Sequence, residues 1–78
     1  MVRILENRQE TKTLRAIGLN VRTARERRGW SQEHLAELAS VHDRTIGKIE
    51  RGELNFSVLI LLKLGKALDC SPNSLLNM

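Results

Sequence analysis

At 78 residues the chain is one small domain, 41% hydrophobic and 28% charged, a balance that excludes both a disordered polymer and a membrane-spanning protein. One Phe, one Trp and no Tyr require an aliphatic core and exclude the aromatic platforms on which single-stranded nucleic acids stack. Thirteen Lys and Arg against nine Asp and Glu give a net charge of +4, which points to an anionic partner, most often nucleic acid. The single cysteine, Cys70, excludes an internal disulfide framework and fits a reducing cytoplasm.

Helix signals run through the chain, with no internal repeat and no sustained period-two alternation. The opening "MVRILENRQE" has no long apolar core and no small-residue cleavage site, so no signal peptide is expected. Residues 1–10 read as an N-terminal extension that frays or continues the first helix, and residues 11–78 as the domain. From about Glu10 to Arg28, Leu14, Ile17, Val21 and Ala24 recur at three- and four-residue steps, one face of a helix, and Gly29 stands where a helix-terminating glycine belongs.

The second helix follows "SQEHLAELA". Ser31 is its N-cap, Glu33 suits its positive end, and Leu35, Leu38 and Ala39 are expected to face inward. His34 occupies the position where a capping box requires Glu or Gln, leaving that cap incomplete. After a brief turn around Ser40 a third helix, about 43–51, ends at Gly52. A fourth runs from near Ser57 to Leu68, and Asp69 can adopt the left-handed conformation that ends it. Its longest apolar run, "VLILL" at 58–62, is too short to cross a bilayer. "SPNSLL" closes the chain as a fifth helix, with Ser71 as N-cap and Pro72 at the first helical position.

On the third helix Asp43, Arg44, Gly47, Lys48 and Arg51 share one arc at about 100° per residue. Ile46 and Ile49 take the other, with Thr45 at the border. Two short helices, a tight turn and a second helix with a polar outer face describe a helix-turn-helix. In the major groove Arg and Lys donate to guanine O6 and N7, Thr bonds or touches a thymine methyl, and Asp accepts from cytosine N4. Gly47, which costs such a position about 1 kcal/mol relative to Ala, has two open readings: a closer approach of the helix to DNA, or close packing and tolerance at an exposed site.

The segments "RERRGWSQEHLAELA", "TIGKIERGE" and "LLKLGKALDCSPNSLL", in that order and one register, resemble the phage repressor and Cro-type helix-turn-helix family, also called the xenobiotic-response-element family. The likeness covers residues 17–76. Within it, "RGELNFSVLILLKLGKALD" is similar to the controller proteins of restriction–modification systems. The resemblance implies an all-α, five-helix repressor-like DNA-binding domain with a central helix-turn-helix. It implies that Asp43, Arg44, Thr45 and Lys48 face base edges, that Gln32 opens helix two against a phosphate, and that Asn55 to Ser57 touch backbone. Ser31 and Arg51 join these as phosphate contacts. It also matches Arg25 and Glu50 to a salt bridge between helix one and the end of the recognition helix. Two departures stand out: Ser40 replaces the usual turn glycine, so a non-glycine residue is expected at positive φ, and His42 and Asp43 replace small or neutral residues. An acidic group there repels phosphate, so Asp43 is a cytosine reader, a helix cap or a partner for a nearby arginine, the last two being preferred.

Arg22 and Arg25 lie near one another on helix one, and Arg22 is assigned to phosphate. Trp30 is expected at the junction of helices one and two and Cys70 as a small core residue. His34, His42 and Cys70 do not match any metal-ligand spacing, and no cofactor is expected. No nucleophile–base pair or phosphate-binding glycine loop is present, so the chain does not read as an enzyme. On helix four, Val58, Leu61, Leu62, Leu64, Gly65 and Leu68 form the expected core-facing arc. Leu59 and Ile60 fall outside it, flanking Lys63, and exposed aliphatics on a small domain mark a partner surface. Leu59, Ile60, Lys63 and Leu76 are assigned to a homodimer contact; the alternatives are a tilted helix four that buries them or cover by residues 1–10. The expected function is a cytoplasmic transcriptional regulator that binds double-stranded DNA as a homodimer on a palindromic operator, without a ligand-sensing domain. The competing reading is an antitoxin-like protein that neutralises a partner protein and regulates its own gene.

Overall fold

The computed structural model describes residues 6–77. Among them lie five helices and no strand: α1 Glu6–Arg27, α2 Gln32–Ala39, α3 Asp43–Glu50, α4 Val58–Leu68 and α5 Pro72–Leu76. Helix α1 starts at Glu6, earlier than the apolar spacing predicts. "ENRQETKT" holds no Gly or Pro, so a helix continues through it without an apolar stripe to announce it. The rest of the expected extension, residues 1–5, lies outside the described residues.

Four of the five helices stop in the same way. At the end of α1 the Trp30 amide donates to the Arg25 carbonyl and Gly29 to Glu26. Val41 and Ser40 return likewise to Ala36 and Glu37, Glu53 and Gly52 to Lys48 and Ile49, and Cys70 and Asp69 to Gly65 and Lys66. This paired return is the Schellman motif, and it needs one left-handed residue. Gly29 and Gly52 supply it at φ 69° and 73°. Ser40 and Asp69 supply it at φ 57° and 53°, where a β-carbon is crowded. The N-termini of α2, α4 and α5 are capped by Ser31, Ser57 and Ser71, whose Oγ atoms accept from the amides of His34, Ile60 and Ser74.

The core is aliphatic. Val21, Leu35, Ile46, Leu64 and Leu68 are fully buried, with Ile49 and Leu75 nearly so. Helix α3 packs on both α1 and α2, α2 on α4, and α5 on α1 and α4. The α1–α3 crossing depends on Gly18, where a β-carbon would overlap the Ile49 carbonyl and lie 2.8 Å from that of Glu50. Asn20 ties α5 to α1, its Nδ2 donating to the Leu75 and Asn77 carbonyls at 2.8 Å. Arg28 closes the far corner by donating to the Ala24 and Leu68 carbonyls.

Three inward assignments are corrected. Leu38, expected in the core, is 47% exposed, because α2 buries Leu35, Ala36 and Ala39 instead. Val58 and Leu62, placed in the core arc of α4, are 72% and 49% exposed. The arc α4 does bury is narrower: Leu61, Leu64, Gly65 and Leu68. Ile60, placed outside that arc, is half-buried and packs against the core.

Candidate nucleic-acid interface

The outer face of α3 is polar along its length: Asp43, Arg44, Lys48 and Arg51 are exposed, Thr45 is half-buried, and Ile46 and Ile49 point into the core. At its base the N-terminus of α2 meets it. Gln32 and Glu33 from α2 and Asp43, Arg44, Gly47 and Arg51 from the third helix and its end line one open hollow of about 350 Å³. The first-turn amides of Gln32 and Glu33 have no carbonyl within α2 to bond, so this corner offers N–H donors at the positive end of a helix dipole. Ser31 Oγ accepts from the His34 amide at 3.0 Å, which leaves its hydroxyl proton free to donate to an anion.

What fixes the pose of α3 is a buried carboxylate at its far end. Glu50, with a side chain only 3% exposed, takes Arg25 Nε on Oε2 at 2.7 Å and Arg25 Nη2 on Oε1 at 3.0 Å. The same Oε1 accepts Gln32 Nε2 at 2.9 Å. Arg25 Nη1 in turn donates to the Trp30 carbonyl at 2.7 Å. One carboxylate thus ties α1, the α1–α2 corner and the start of α2 to the end of α3. The hydrogen bond to Glu50 raises the Arg25 pKa above its ordinary value, against the opposing pull of burial, so the arginine stays charged wherever the protein is folded.

Asp43 is not the N-cap of α3. That position is His42, which makes no side-chain cap bond. Asp43 stands at the first helical residue, its Oδ1 3.3 Å from His42 Nδ1; the acidic charge favours the positive helix end. Among the assigned phosphate contacts, Arg51 pairs through Nε with Glu53 Oε2 at 3.1 Å, and Arg22 with Glu26 at 3.0 Å. Ser57 is engaged as the cap of α4. Asn55 lines a separate hollow with Gln9, Glu10, Thr13 and Leu14. Trp30 sits at the α1–α2 corner, edge-on to His34 with centroids 5.0 Å apart and with the Arg28 guanidinium 5.6 Å from its ring centre. On α4 and α5, Leu59 is 62% exposed and Leu76 40%, with Ile60 and Lys63 half-buried.

Sequence reading missed two contacts. The Gln32–Glu50 bond joins residues far apart in the chain and leaves no pattern. The Arg51–Glu53 pair flanks Gly52 and was legible as opposite charges across a turn. Among the described residues no His, Cys, Asp and Glu group is arranged to hold a metal ion, and no helix is long and apolar enough to cross a membrane.

Two short helices joined through a left-handed residue, with a polar face on the second and an open helix N-terminus beside it, define a helix-turn-helix. Residues 21–75 match the helix-turn-helix family HTH_3. The chain is 37% identical to the competence pilus inhibition repressor of Acinetobacter baylyi over 59 residues, 76% of this chain and 54% of that protein; it spans only about half of that relative. Its fold is similar to the restriction–modification controller protein C.AhdI of Aeromonas hydrophila, with a TM-score of 0.78 and 40% identity over 80% of this chain and 94% of that one. It is also similar to the P22 c2 repressor solved with a synthetic operator, with a TM-score of 0.74 and 34% identity over 78% and 92% of the two chains. The chain belongs to the HTH_3 helix-turn-helix family, of the repressor and controller type, a family of DNA-binding regulators and not of enzymes.

Proposed function

We propose that this protein is a sequence-specific double-stranded DNA-binding transcriptional regulator, acting in the cytoplasm as a homodimer on a palindromic operator. The observation that carries it is the outer arc of α3, exposed and polar, with the capped N-terminus of α2 beside it. Arg44, Thr45 and Lys48 discriminate bases and Asp43 borders them. Ser31, Gln32 and Arg51 hold phosphate next to them, and Arg22, Asn55 and Ser57 extend that contact. The P22 c2 repressor, solved with an operator, supports the same use of the face here.

Leu59 and Leu76 are exposed, and with Ile60 and Lys63 they form the contact between two copies. A two-fold dimer sets its recognition helices in successive major grooves roughly 34 Å apart. Selection of bound duplexes from a random pool, followed by a salt titration on the winner, tests this. A palindrome with half-sites about one helical turn apart, weakening steeply with salt, is expected.

The exposed aliphatics of α4 also favour a second reading, in which a heterologous protein covers them and DNA binding serves autoregulation, as in an antitoxin. A stoichiometric co-eluting protein and an unselective duplex pool would replace the dimer reading with this one.

A further inference from the structure

A glycine in the middle of a helix is unfavourable unless its missing side chain makes room for something. On α3 that glycine is Gly47, and it is buried although it lies on the outer, polar arc. Its cover is made of side chains. A β-carbon placed at Gly47 would stand 3.1 Å from Arg51 Nη1, 3.9 Å from Arg51 Cζ and 3.5 Å from Gln32 Oε1.

The geometry follows from helix stereochemistry. Side chains on a helix lean toward its N-terminus, over the residue one turn earlier. Arg51 is the residue one turn after Gly47, its backbone still in the right-handed helical region at φ −87° and ψ −2°. Its long side chain therefore runs back across position 47, and with no β-carbon there it lies flat on the helix. The guanidinium ends beside the Gln32 carboxamide, and Glu53 Oε2 holds its Nε at 3.1 Å. Gln32 is itself fixed by Nε2 on Glu50, so its Oε1 is an oriented neighbour.

We infer that Gly47 is a positioning residue: its bare backbone is the seat across which Arg51 lies toward Gln32, and the seat sets where Arg51 meets DNA. The inference rests on the DNA-binding reading above and deepens it. Without the seat, Arg51 Nη1 must give way by a few tenths of an ångström, which lifts the guanidinium off the helix at the corner where α2 presents its amides.

Gly47→Ala tests it, because the one atom its β-carbon crowds, Arg51 Nη1, is the far end of a flexible side chain. Alanine is the better helix former, so the melting temperature should rise by about 4 °C while operator affinity falls roughly tenfold. Arg51→Ala should lose a similar factor, and the double variant should be no weaker than Arg51→Ala alone, since neighbours that act through one contact do not add. An equal loss from Gly47→Ala in the Arg51→Ala background would instead mean that the β-carbon strikes the DNA, and unchanged affinity would mean that the seat does nothing; either result overturns the inference. The Nε–H NMR signal of Arg51 in the free protein should shift in Gly47→Ala, and an unshifted signal overturns it without any DNA. Wild-type protein that selects no duplex defeats the DNA-binding reading itself, and the NMR signal then still decides the seat.

Discussion

Helices α3 and α4 both turn an outer face to solvent, and the two faces are opposites. That of α3 carries Asp43, Arg44, Lys48 and Arg51, and its inner face carries Ile46 and Ile49, both buried. That of α4 carries Val58, Leu59 and Leu62, all exposed, while its buried arc is leucine and glycine. A helix sorted by polarity has its orientation settled by burial alone, and its exposed side chains are free for recognition. A helix apolar nearly all round is oriented by its neighbours and leaves apolar surface uncovered, which favours association. The polar helix still needs an anchor along its axis, and Glu50 provides it.

Removing that anchor should be the largest single effect. Glu50→Ala leaves the Arg25 guanidinium, 11% exposed, without its carboxylate and frees Gln32. Breaking one partner of a buried pair costs about 3–5 kcal/mol, a large share of the stability of a domain this small. Urea unfolding at neutral pH should show this loss, whereas a loss under 1 kcal/mol would mean that packing alone holds α3 in place. On α4 no polar residue has a comparable role.

Next in size is base discrimination on the polar face. Arg44→Ala should cost about 1–3 kcal/mol at one base position of the operator and little elsewhere. Binding to a set of single-base operator variants reads this out. Equal weakening on every duplex would reassign Arg44 to phosphate.

How much of this could be read from the sequence differs between the two helices for the same reason. The 43–51 helix shows its phase because charged and apolar residues separate cleanly, so Ile46 and Ile49 were identifiable as core and Arg44 and Lys48 as outward. "VLILLKLGKAL" offers no phase, since almost any rotation buries apolar residues. Its spacing therefore points Val58 and Leu62 inward, whereas both stand exposed. The left-handed residue at Ser40 followed from the resemblance, in which serine stands where the turn glycine is usual, and that at Asp69 from the tolerance of an acidic residue for this conformation just past the apolar run. Arg25 and Glu50 came from family resemblance, and the third member of that cluster, Gln32, from no local pattern. Contacts between helices depend on crossing geometry, and Gly18, which permits the α1–α3 crossing, reads in the sequence as an ordinary interior glycine.

The apolar face makes the third prediction. Leu59→Glu places a charge on a residue already exposed, so the monomer should lose less than about 0.5 kcal/mol. A two-copy contact through this face should weaken at least tenfold, about 1.4 kcal/mol, by sedimentation equilibrium. If the charge leaves self-association intact, the two copies meet elsewhere.

The smallest expected effect separates the turn before α3 from the stop after α4. Ser40 and Asp69 occupy nearly the same left-handed backbone conformation, and in each the crowded β-carbon costs about 1 kcal/mol. Glycine removes that crowding, partly offset by the greater freedom it gives the unfolded chain. Ser40→Gly and Asp69→Gly should therefore raise stability by similar amounts, up to about 1 kcal/mol each, in thermal unfolding. Their effects on operator binding should also match, at close to none, because the pose of α3 is set at its far end by Glu50 and not at the turn. A change in affinity from Ser40→Gly alone would show that the serine turn, and not only the buried carboxylate, holds the recognition helix at its working angle.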